Sequence, residues 1–133
     1  MKIRVLNFII FIFICTLVSS CDSDDKNDEC IQNEIGYVTT LTAPSSGSVN
    51  ETINIEVNFR VFNGCGKFGK FMETENGNTR TIEVEAKYEG CNCTQDAPIR
   101  TTNYEFVANS PGNYTLKFKS SPTEFITVNL VIK

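Results

Sequence analysis

The chain has 133 residues, a formal net charge of −4, 41% hydrophobic residues, no histidine and no tryptophan. Without histidine, Ser-His-Asp and Cys-His catalysis and histidine-ligated metal sites are excluded. The acidic balance gives the protein no electrostatic reason to seek nucleic acid.

Lys2 and Arg4 precede the apolar run Phe8-Ile9-Ile10-Phe11-Ile12-Phe13-Ile14, and small residues follow at Ser19-Ser20. Basic, then apolar, then small is the order of a secretory signal. The apolar stretch from Val5 to Val18 is shorter than the ~20 residues that span a bilayer. Val18-Ser19-Ser20-Cys21 resembles the lipobox of bacterial lipoproteins. The resemblance implies that the peptide is cut before Cys21, that the Cys21 thiol receives a diacylglycerol, and that the new amine is acylated. Each buried methylene contributes ~0.8 kcal/mol, so two or three chains hold firmly where one holds marginally. Asp22 to Glu29 then carries five acids and one base. It has too little apolar surface to build a core and reads as a solvated tether. Ser23-Asp24-Asp25 resembles the acidic export signal of Bacteroidota lipoproteins sent to the cell surface. The outer membrane is the expected address, on either its surface or its periplasmic face.

Removing residues 1–20 takes away Lys2 and Arg4 and leaves ten bases against sixteen acids. The tether holds most of that excess, so the folded part is nearly neutral. Its ~100 residues suit one domain with one core. The expected organisation is a signal at 1–20, a lipidated acidic tether at 21–33, and a β-domain at 34–133.

The strands follow in order. A weak one runs about Gly36 to Thr42. From Thr52 to Val61 apolar and polar residues alternate without a break: Ile53, Ile55, Val57, Phe59 and Val61 on one face, Asn54, Glu56, Asn58 and Arg60 on the other. Period two means one face buried and one wet. A second weak strand, about Gly66 to Glu73, carries Phe68 and Phe71 out of strict phase. Ile82, Val84, Ala86 and Tyr88 alternate next, then Tyr104, Phe106 and Ala108. Tyr114, Leu116 and Phe118 follow, and Ile126, Val128, Leu130 and Ile132 close the set, with Val131 breaking the polarity. Asn63-Gly64 and Asn76-Gly77 suit tight turns with positive φ, the second joining the third strand to the fourth. No window of the mature chain shows helical periodicity.

About seven short antiparallel strands with regular turns predict an all-β sandwich. Pro111-Gly112-Asn113-Tyr114-Thr115-Leu116 resembles the P-G-x-Y-x-L turn and strand of bacterial immunoglobulin-like and fibronectin-like domains. That resemblance implies an Ig-like sandwich in which Tyr114 buries its ring and ties its hydroxyl to backbone. The missing tryptophan and the cysteine spacing depart from the antibody pattern. Taken whole, the chain resembles the small lipoproteins common in Bacteroidota.

Of six cysteines, Cys15 leaves with the signal and Cys21 takes lipid. Cys30, Cys65, Cys91 and Cys93 remain in an oxidising compartment, where two disulfides are expected in one of three connectivities. Cys91 and Cys93 are too close to bridge each other easily and point the same way if they lie on a strand. Each should therefore reach a different partner, Cys65 or Cys30. A Cys65–Cys91 bridge, for example, would contribute ~3.5 kcal/mol in the chain-entropy model. A soft-metal site on Cys91, Cys93 and Met72 is the competing use of these sulfurs.

No nucleophile elbow or phosphate-binding glycine loop occurs. Glu83 with Glu85 and Glu73 with Glu75 are paired carboxylates of the kind glycoside chemistry uses across a substrate, ~5 to ~9 Å apart. As alternating strand residues they read as solvated surface. Phe59, Phe106 and Phe118 fall on inward phases. Phe68 and Phe71, with Tyr37, are the candidates for an exposed apolar patch that could bind sugar or protein. The expectation is a monomeric, cofactor-free, metal-free module that binds an envelope protein or glycan and is not an enzyme. The rival reading is an inhibitor of proteases or lysozymes, offering the loop from Gly90 to Ile99 pinned by its cysteines.

Overall fold

The structure, a computed structural model, describes residues 30–133. The signal, Cys21 and the acidic stretch to Glu29 lie outside the described residues. Eight strands run in chain order: β1 Ile31–Thr42, β2 Ser46–Gly47, β3 Ile53–Arg60, β4 Gly66–Asn76, β5 Thr79–Glu89, β6 Ile99–Phe106, β7 Gly112–Lys119 and β8 Phe125–Ile132.

β1 sets the architecture by changing partner midway. Ile31 to Gly36 pairs with β5, whereas Tyr37 to Thr42 pairs with β3. One layer is β4-β5-β7-β8, with β2 at its end; the other is β1-β3-β6. The two weak strands are both longer than their apolar pattern predicts. β1 begins inside the stretch expected to be tether, because Ile31 to Glu34 is exposed and held by its ladder to β5 rather than by burial.

Two pairings are parallel, β5 with β7 and β2 with β8. Alternation reports which face is buried and not the direction of the neighbour, so this was invisible in sequence. β6, in the other layer, carries the chain back so that β7 can lie alongside β5.

The alternating residues meet between the layers. Ile55, Val57, Phe59, Ile82, Phe106, Leu116 and Phe118 are fully enclosed, each contributing ~1.5–3 kcal/mol relative to exposure. Val131 breaks the polarity and keeps the phase: it is an apolar residue that faces out, and its N–H bonds the Ser45 carbonyl at 3.0 Å. Gly77, with φ of 59°, makes the β4–β5 turn. Gly64 does not take positive φ; the Asn63 side chain instead accepts the Cys65 N–H at 2.9 Å and forms the turn itself.

Tyr104 crosses the core with its hydroxyl donating to Glu73 at 2.8 Å and facing the Arg80 guanidinium at 3.5 Å. Burial pushes its phenol up to about 12, with Arg80 pulling down and Glu73 pushing up. At the far end the Tyr114 hydroxyl donates to the Ser110 carbonyl at 3.0 Å, with its ring in the core.

Candidate functional site

The ends of β3 and β5 and the starts of β1, β4 and β6 come together at one end of the sandwich. The alternation that fixes β3 stops at Val61, which is buried and whose N–H bonds the Pro98 carbonyl at 3.1 Å. Phe62 follows directly, and two adjacent apolar residues cannot share one face. Phe62 therefore turns outward, half exposed, and lays its ring on Tyr88 at 3.9 Å and 20°. Its N–H donates to the Tyr88 hydroxyl at 3.1 Å. Burial raises the Tyr88 phenol above its usual value, with the Phe62 N–H acting the other way.

Two disulfides fasten this end. Cys30 bonds Cys91 and Cys65 bonds Cys93. The closely spaced pair splits between the two outer cysteines as expected, but the illustrative Cys65–Cys91 bridge does not form. Cys91 and Cys93 lie in the loop after β5, not on a strand, so their directions are not tied to period two. With all four sulfurs bonded, no thiolate remains for the soft-metal arrangement with Met72. No group of three or more candidate metal ligands occurs among the described residues.

Backbone bonds complete the frame. The Gly90 N–H donates to the Cys30 carbonyl at 3.0 Å, and the Gly64 N–H to the Thr94 carbonyl at 3.1 Å. The Arg100 fork donates to the Gly64 and Gly66 carbonyls, both at 2.9 Å. Gly66 allows this closeness: a Cβ there would lie 2.5 Å from Val61 and 2.6 Å from the Tyr88 ring. Outside, Glu89 sits between Lys67 and Lys87, whose ammonium groups hold its carboxyl down to about 2.

Between β1 and the β3–β4 connection lies a cleft of about 320 Å³ lined by Glu34, Ile35, Tyr37, Arg60, Val61, Phe62 and Tyr88. Tyr37 and Ile99 stand opposite Arg60 on either side of β3, a row across the outer face. Arg60 makes no ion pair among the described residues, whereas Glu34 accepts the Gln32 amide at 2.7 Å. Over the bridges, Asn63 and residues 90–95 form a shallower polar bowl.

Of the three aromatic candidates, Tyr37 lines the cleft and the other two do not. Phe68 and Phe71 are half-buried and join a chain of rings leading inward, Phe68 to Phe59 at 6.3 Å and Phe71 to Tyr104 at 5.1 Å. A register shift between Phe68 and Lys70 is the reason. The extra residue puts two aromatics three apart against the same core, so their broken phase marked a bulge and not a patch. Phe62 was missed, although the signal was present: it is the first apolar residue out of step after ten of strict alternation. Glu83 and Glu85 pair with Lys119 and Lys70 along a strand face.

Residues 53–128 match the family model of the ORF11 β-sandwich domain. The chain belongs to that family. The matched stretch of this ORF11 β-sandwich domain runs from β3 into β8 and includes Arg60, Phe62, Tyr88 and three of the bridging cysteines. β1, with Cys30 and Tyr37, precedes it. No curated protein matches the chain. No solved structure matches it either.

Proposed function

We propose that this protein is a lipid-anchored envelope lipoprotein, of the kind found in Bacteroidota, that acts by binding at the disulfide-bridged end of its sandwich and not by catalysis. The lipobox-like Val18-Ser19-Ser20-Cys21 supports the anchor, and the following acids support the outer membrane. The observation that carries the binding role is the Phe62 ring: half exposed, backed by Tyr88, beside an Arg60 with no ion pair among the described residues, on a frame fixed by two disulfides. A surface ordered before its ligand arrives loses less entropy on binding.

A photo-crosslinking residue placed at position 62 of the full-length chain in cells tests this. Discrete adducts from position 62, absent from position 107 at the opposite end, are expected. Equal labelling from both positions would count against the assignment. The anchor is read separately: Cys21→Ala should move the protein from the membrane fraction to the soluble one.

One feature favours the inhibitor reading, the loop between β5 and β6. It is pinned at both bridges and leaves Asn92, Thr94, Gln95, Asp96 and Ala97 exposed. Loss of activity from a hydrolase panel at micromolar protein, reversed by substitutions in residues 94–97, would move the function to that loop.

A further inference from the structure

Ile31, Phe62 and Ile99 are large apolar residues about half exposed, and strand order places all three at the bridged end. The same end receives the chain. Cys30 is bonded to Cys91, so the polypeptide enters the domain at a covalently fixed point. From Cys21 to Cys30 the backbone can reach at most ~30 Å. If Cys21 carries lipid, the bridged end is therefore held near the bilayer surface.

Resting on that anchor reading, we propose that the bridged end is a seat for phospholipid headgroups of the anchoring membrane. Phe62, Ile31 and Ile99 enter the interfacial layer, and Arg60 meets a lipid phosphate. The chemistry fits the depth. Apolar side chains settle at the boundary of the acyl region, while arginine reaches back to the headgroup level. A guanidinium can grip phosphate through two parallel N–H bonds, and Arg60, between Tyr37 and Ile99, has no partner for its own among the described residues. The phosphate of a zwitterionic lipid suffices, so the acidic tether meets no net negative surface. Three apolar side chains would hold the membrane weakly by themselves. An anchor turns the contact into an intramolecular one, where weak contacts count.

The sequence has no tryptophan, so Phe62→Trp gives the full-length lipidated chain a single indole. The protein is reconstituted into vesicles of phosphatidylethanolamine and brominated phosphatidylcholine, with Val107→Trp as the far-end reporter and Ile99→Trp as a second near-end reporter should Phe62→Trp not fold. Co-flotation with the vesicles reads the anchor; quenching by bromine reads the seat. Expected are flotation of all variants, several-fold stronger quenching at position 62 than at 107, and a drop toward the far-end value when Arg60→Gln is added. Flotation with equal quenching at both ends overturns the seat and leaves the anchor. Quenching unchanged by Arg60→Gln overturns the phosphate contact. Failure to float overturns the anchor reading itself.

Discussion

At one end of the sandwich the Tyr88 hydroxyl accepts a backbone N–H; at the other the Tyr114 hydroxyl donates to a backbone carbonyl. Both tyrosines tie a loop to the core, but the loops differ in every other respect. Around Tyr88 the chain is cross-linked twice and shows Phe62, Ile31 and Ile99 to solvent. Around Tyr114 there is no bridge among the described residues, and the surface concavity is lined mainly by Glu75, Asn78, Arg80, Asn109 and Ser110. Hydrogen bonds close the Tyr114 end, whose loops are short and whose concavity also takes in exposed Val107. The end that exposes Phe62, Ile31 and Ile99 carries the stiffer frame, two disulfides.

The largest effect expected is loss of the bridges. Cys30–Cys91 spans 61 residues and Cys65–Cys93 spans 28. The chain-entropy model assigns them ~4 and ~3.5 kcal/mol. Urea unfolding of the Cys30→Ser/Cys91→Ser protein should show a loss of that order and the longer loop should cost more; a midpoint within error of wild type would mean that hydrogen bonds alone hold both ends. Next is Gly66→Ala, whose methyl would press on Val61 and Tyr88. Overpacking of this kind costs ~1–3 kcal/mol, and the thermal midpoint should fall correspondingly.

Smaller still are the two hydroxyls. Tyr114→Phe should lose ~1 kcal/mol. Tyr88→Phe should lose less, because the freed N–H belongs to half-exposed Phe62 and water can replace the partner. Equal losses would erase the asymmetry between the ends. Alkaline pH probes the middle of the molecule. The Tyr104 phenol is held up to about 12 against an ordinary value of ~10. The native state then binds the proton more tightly, so its contribution is intact below pH ~10 and is lost as pH rises toward 12. Tyr104→Phe should flatten the decline of the urea midpoint across that window.

The strands with unbroken alternation were legible in sequence because each buries one face in one core. β3, β7 and β8 came within a residue or two of their ends. β1 and β4 were not, since Ile31 to Glu34 and Glu73 to Asn76 are exposed on both faces and only their ladders hold them. Parallel pairing left no mark on alternation, and the bulge after Phe68 looked like weak patterning. The site was half legible. Cysteine spacing required two outer partners without choosing between them, and Tyr37 stood out, whereas Phe62 was hidden by its place next to a perfect strand. Arg60 read as one more wet residue, and only the register with Tyr37 and Ile99 distinguishes it.

The Cys30–Cys91 bond sits one residue beyond the first rung of the β1–β5 ladder, Ile31 opposite Glu89. Those strands are antiparallel, so tension arriving along the chain from the N-terminal side would otherwise unzip them rung by rung from the outside. Instead the load passes through sulfur to Cys91, two residues past the end of β5. A domain pulled from its N-terminal side would have to rupture a covalent bond before β1 began to peel.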